Sequence, residues 1–123
     1  MEDRAVDVVG MNVDLPMASL EAARPFYAAV IGRPPDLNPP AMAEWILHRD
    51  PEIAIRLVET DSPSPGSGRV GIGVPDVEAE RRRLSELLPS VPDVARKPGV
   101  IAKLKLIDPS GNHVTLWQDL LVR

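Results

Sequence analysis

An α+β fold built from two tandem βαβββ modules is what the sequence predicts, within a single domain spanning residues 1–123. Three observations carry this expectation: an internal repeat, alternating apolar stretches that each lead into a helix-like segment, and Asp-Pro turns at equivalent places in the two halves.

The repeat sets the register of everything else. VDLPMASLEA (Val13 to Ala22) and IGVPDVEA (Ile72 to Ala79) each run from an alternating strand through a turn into a helix, and Leu20 falls on Val77 at an offset of 57. Further on, RDPEIAIRLVE (Arg49 to Glu59) falls on IDPSGNHVTLWQ (Ile107 to Gln118), with Ile55 and Leu57 matching Val114 and Leu116 at an offset of 59. The halves are thus a first module over 5–60, a Pro, Gly and Ser-rich linker over 61–68 and a second module over 69–123.

Each half reads as strand, helix, strand, strand, strand. The first helix carries apolar residues at Leu20, Ala23, Phe26, Tyr27, Val30 and Ile31, with Ser19 as N-cap and Gly32 as stop. Pro25 lies inside it; an interior proline costs about 3 kcal/mol, so a kink or a late start is expected. The second helix is expected over Val77 to Leu88, capped by Asp76, with Leu84, Leu87 and Leu88 inward and Pro89 ending it. Strand pairs follow at Ala43 to His48 with Ile53 to Glu59, and at Val100 to Ile107 with His113 to Gln118. No pattern fixes the course of GRPPDLNPPAM, Gly32 to Met42.

Composition narrows the function classes. A net charge of -4 argues against a nucleic-acid surface, and the one basic run, Arg81 to Arg83, follows Glu78 and Glu80 as a solvated helix face. Without cysteine there are no disulfides or thiolate metal sites. The start, MEDRAVDVV, lacks the plan of a secretory signal, and no apolar run approaches the roughly 20 residues of a membrane span, so a cytoplasmic location is the expectation.

Phe26-Tyr27 followed by Ala28-Ala29-Val30-Ile31-Gly32 in the first module, together with DPSGN (Asp108 to Asn112) before the last strand, resembles the vicinal oxygen chelate superfamily. That group includes glyoxalase I, bleomycin-resistance proteins, extradiol dioxygenases and methylmalonyl-CoA epimerases. The resemblance implies a curled mixed sheet with helices on its outer face and a ligand cavity inside, and a homodimer. It also implies, for metal-dependent members, ligands near the start of each module's first strand and on each module's last strand. Carried over, those positions are Asn12, Arg69, Arg56 and Thr115, a set without imidazole or carboxylate. Guanidinium has no lone pair and repels a cation, so no metal and no other cofactor is expected.

Strand alternation extends the cavity face to Asp14, His113 and Trp117, and leaves Val13, Leu15, Met17, Val70, Ile72, Val74, Val114 and Leu116 facing the helices. Two arginines with an aromatic wall suit a planar, carboxylated or otherwise electron-rich organic ligand. Plainer readings stand beside this: Arg56 and Asp14 as an ion pair across the sheet, and Trp117 and Trp45 as core or interface aromatics. His48 is expected at a turn.

Three functions compete. The first is metal-independent binding of a small aromatic or carboxylated molecule, as in bleomycin-resistance-type binders, through Asn12, Arg56, Arg69, Thr115 and Trp117. The second is a metal-free isomerase, cyclase or lyase in which Asp14 or His113 moves a proton, His113 as base with Asp14 orienting it. The third is a metal-dependent glyoxalase or dioxygenase using donors among Asp14, Glu44, His48, Glu59 and His113.

Overall fold

The computed structural model describes residues 6–60 and 67–122, so most of the expected linker lies outside the described residues. In chain order the elements are β1 (Gly10–Met17), α1 (Leu20–Ile31), β2 (Met42–Arg49), β3 (Glu52–Glu59), β4 (Arg69–Gly73), α2 (Val77–Ser85), β5 (Ala95–Lys97), β6 (Ile101–Ile107) and β7 (His113–Asp119). They form two mixed sheets, ordered β1-β3-β2 and β4-β7-β6-β5. In each, the module's first strand runs parallel to its last, and the remaining strands are antiparallel.

The repeat predicted from sequence is the repeat of the ladders. Asn12 opposes Ala54 and Asp14 opposes Arg56 in the first sheet; Arg69 opposes His113 and Gly71 opposes Thr115 in the second. The offsets of 57 and 59 carry one set of pairs onto the other. The apolar phase faces the helices as expected: Leu15, Met17, Ile55, Leu57, Val114 and Leu116 are buried in one cluster with Tyr27, Trp45, Leu84 and Leu104. α1 packs on β2 and β3, and α2 on β6 and β7.

Both helix starts are built alike. Ser19 Oγ accepts from Ala22 N at 3.3 Å and Asp76 Oδ1 from Ala79 N at 3.1 Å. A side chain from the last strand adds a second acceptor: Leu20 N donates to Glu59 Oε2 at 2.9 Å, and Val77 N to Gln118 Oε1 at 3.0 Å. These contacts satisfy amide donors left open at a helix N-terminus and tie helix to sheet. Glu59 is thereby a helix cap, a role its position in the sequence did not reveal.

Three local expectations are corrected. α1 starts at Leu20 and runs unbroken through Pro25, which is exposed; the carbonyl that loses its partner is that of Glu21, also exposed and open to water. α2 ends at Ser85, and Leu87 points outward, 58% exposed, because the chain tightens into a turn in which both Leu87 N and Leu88 N reach Leu84 O. Among the described residues the first module lacks the extra edge strand that β5 supplies in the second, and in its place holds an isolated bridge between Leu37 and Glu44. Four of the residues before β2 are proline and cannot donate to a ladder.

Side chains take over that edge. Asp36 Oδ2 accepts from Ile46 N at 2.7 Å, Arg33 donates to the Ile46 carbonyl, and Arg33 and Asp36 pair with each other at 2.8 Å. The Asp36 carboxyl is held below its usual range by the Arg33 hydrogen bond and then by the Ile46 amide. Among the described residues no helix is long and apolar enough to cross a membrane.

The modules are joined by a buried polar knot. Tyr27 of α1 donates to Asp108 Oδ2 at 2.7 Å; Asp108 also accepts from Ser110 N, Asn112 N and Asn112 Nδ2. Asn112 in turn donates to Pro16 O at the end of β1 and accepts from Gly68 N. The Phe-Tyr and DPSGN motifs are therefore two halves of one structural contact. Burial first, then Asp108, pushes the Tyr27 hydroxyl far above an ordinary tyrosine.

That shift has a pH consequence. A raised folded-state pKa leaves stability intact below the unfolded value and erodes it above, so beyond pH about 10 stability should fall by about 1.4 kcal/mol per pH unit through this group. Tyr27 is the sole tyrosine. Urea titrations from pH 9 to 11 should show a steeper decline for wild type than for Tyr27→Phe; parallel declines would contradict the assignment.

Candidate functional site

The inner faces of the two sheets can be compared row by row. In the first sheet the central row reads Asp14, Arg56, Glu44, one residue from each strand; in the second it reads Gly71, Thr115, Lys105. Same topology, different chemistry.

The first face neutralises itself. Arg56 Nε donates to Asp14 Oδ1 at 2.8 Å and lies 3.8 Å from Glu44 Oε2, while Asn12 Nδ2 donates to Asp14 Oδ1 at 2.8 Å. The plain ion-pair reading of Asp14 and Arg56 describes what these side chains do. His48 lies near the end of β2, opposite Ile53, and turns its ring to the β2 to β3 turn, with Nδ1 3.0 Å from Pro51 O.

The second face forms a cavity of about 760 Å³, open to solvent, walled by Arg69, His113, Thr115 and Trp117 and by Ile101, Lys103 and Lys105 on β6. Four of the residues singled out from sequence meet here. Asn12, Asp14 and Arg56 belong to the other face, so the single cavity lined by all seven is not what the structure contains.

Lys103 and Lys105 were missed, although the signal was present. IAKLKLI alternates strictly, and Ala102, Leu104 and Leu106 are buried against the helix layer, which turns both lysines inward to the cavity. Among the described residues no ion pair or hydrogen bond engages the side chain of Arg69, Lys103 or Lys105. Asp119, the acidic neighbour on β7, lies at the strand's end opposite Ile101 and accepts from Leu121 N.

Trp117 lies across its neighbouring strand. Its indole leans over β4, where Gly71 and Gly73 provide the space: a Cβ at Gly73 would lie 2.8 Å from Cζ2, and one at Gly71 3.4 Å from Cδ1. The ring is 37% exposed, so one face rests on the strand and the other borders the cavity.

The proton-transfer pair considered from sequence is not assembled: Asp14 is engaged by Arg56 and Asn12, and no hydrogen bond joins it to His113 among the described residues. Nor do the ligand positions that the resemblance implies suit a metal. Asn12, Arg56, Arg69 and Thr115 are poor donors, Arg56 is committed to Asp14, and among the described residues no three His, Asp or Glu side chains converge on one point.

No family model matches the sequence, and no curated protein does. Solved structures do. A glyoxalase/bleomycin resistance protein from Catenulispora acidiphila superposes with a TM-score of 0.78 at 19% identity, covering 89% of this chain and 96% of that one. A lactoylglutathione lyase from Agrobacterium tumefaciens gives 0.72 at 22% identity over 95% of both chains. A glyoxalase/bleomycin resistance protein/dioxygenase from Nocardioides gives 0.69 at 18% identity over 98% of this chain and 87% of that one. Identities this low speak for architecture alone. Two βαβ-based modules, the matched ladders and these superpositions establish that the chain has the fold of the vicinal oxygen chelate superfamily.

Proposed function

We propose that the chain binds a small anionic aromatic molecule in the cavity of its second module, without a metal ion. The observation that carries this reading is the contrast between the two inner faces. Where the first pairs its own charges, the second presents the side chains of Arg69, Lys103 and Lys105 without partners among the described residues, beside a half-exposed indole.

In a chain of net charge -4 such a concentration of unpaired cations is a local reversal of sign. It favours carboxylate, sulfonate or phosphate groups and disfavours a cationic ligand. Trp117 supplies a flat apolar surface for stacking, worth about 1 kcal/mol beyond the area covered. The cavity size is that of an ordinary small-molecule site. Because it is walled by one module and open on the remaining side, a second copy of the chain is the natural cover, which places the homodimer within the same proposal.

Fluorescence tests it. Trp45 is fully buried and Trp117 half-exposed, so ligand entry should perturb the emission of Trp117 alone. Naphthalene-2-carboxylate should quench emission saturably and raise the melting temperature, Trp117→Phe should abolish the quenching, and 2-naphthylmethylammonium should do neither. Equal response to the cation, or none to the carboxylate, would remove the proposal.

A further inference from the structure

The cations of the second face are not gathered at one point. Arg69 stands on β4 beside His113 of β7, whereas Lys105 and Lys103 stand on β6, in the rows of Thr115 and Trp117. β7 lies between β4 and β6, so the two positive groups are separated by two strand spacings, about 10 Å across the sheet, and are staggered along it by two rows for Lys105 and four residues for Lys103. Between them the floor is Thr115, a small side chain, and the large ring of Trp117 is drawn aside over Gly71 and Gly73. The result is a shallow trough with a positive wall on each side and an aromatic surface along one end.

From this arrangement we infer that the ligand is a planar dianion, with its two anionic groups at opposite ends of a rigid aromatic body. One end is held by Arg69 and His113, the other by Lys103 and Lys105, and the ring system lies over Thr115 against the free face of Trp117. A monoanion satisfies one wall and leaves the other bare. A flexible dianion loses conformational freedom in spanning the trough, whereas a rigid one is already extended. The first face could not do this: its central row places acid, base, acid in sequence and closes on itself. This inference rests on the proposed ligand site and adds the number and placement of charges.

Naphthalene-2,6-dicarboxylate and naphthalene-2-carboxylate separate the two ideas when their affinities are measured by Trp117 fluorescence at fixed ionic strength. The dicarboxylate should bind about tenfold more tightly or better. In the double variant Lys103→Gln/Lys105→Gln, that preference should shrink to about twofold or less, since the second wall is gone. Equal affinity of the two probes for the wild type overturns the dianion inference and leaves the ligand site standing. A preference undiminished in the double variant overturns it as well, because the second anion is then held elsewhere. If neither probe binds, the site and the inference fall together.

Discussion

Asp108→Ala should destabilise the protein by about 4 kcal/mol, lowering the melting temperature by about 15 °C, an effect larger than any single aliphatic truncation of comparable size on the sheets. The carboxylate is 4% exposed and accepts four hydrogen bonds, from the Tyr27 hydroxyl, two backbone amides of its own turn and the Asn112 side chain. Deleting it leaves buried donors without acceptors, and it is this, more than the loss of the bonds, that costs stability. Asp108→Asn keeps one acceptor oxygen and should lose about half as much. Tyr27→Phe removes one donor and should cost about 1 to 2 kcal/mol, and the Tyr27→Phe/Asp108→Ala double variant should fall well short of the sum. Urea unfolding followed by Trp45 emission reads all four. A loss below about 1 kcal/mol in Asp108→Ala would mean that water reaches the turn and the knot is not what joins the modules.

Gly73→Val acts on the ligand site in the opposite sense, with small cost to the fold and large cost to binding. A Cβ there would sit 2.8 to 3.2 Å from three atoms of the Trp117 six-membered ring system, so the indole must lift or rotate. Nothing forces the sheet itself to move, because Trp117 is half-exposed and has room to swing. Stability should change by less than about 1 kcal/mol, β-branched residues being well suited to a strand. Affinity for naphthalene carboxylates should fall about tenfold, the cost of a displaced stacking surface together with a narrowed trough. Gly71→Ala is the control: its Cβ meets the indole at 3.4 Å, ordinary contact, and affinity should hold. Comparable losses at both positions would show that the strand, not the ring placement, is what the glycines serve.

How far the sequence could be read depends on the kind of interaction. Period-two alternation and the repeat are local patterns, and they gave the strands, the helix-facing residues and the ladder register, since a one-residue slip would have exposed Leu15, Leu57 and Leu116. Ser19, Gly32 and Asp76 were legible for the same reason: a cap answers to its immediate neighbours. What escaped was decided at long range. Tyr27 and Asp108 are 81 positions apart, and their motifs were visible while their contact was not. The absent edge strand before β2 followed from prolines whose loop is held by Arg24, Arg33 and Asp36 reaching across space. Equivalent positions in a repeat suggest equivalent work, and hence a cavity shared by both modules; Asp14 and Arg56 bind each other instead, and Lys103 and Lys105 take their place. Alternation could have found the lysines, but nothing local says that a lysine is unpaired.

The side-chain clasp on Ile46 has a consequence for how the molecule behaves in a crowded solution. An outermost strand with free amides and carbonyls invites the strand of a neighbour, and this is a common first step towards fibrils. At Ile46 both groups are already taken by Asp36 and Arg33, and the prolines that flank them have no amide with which to recruit a passing chain. The first module thus gives up a strand and keeps its β2 edge closed at Ile46. Loosening of the Arg33 and Asp36 pair would open that edge before it unfolded the core, with precipitation as the early sign.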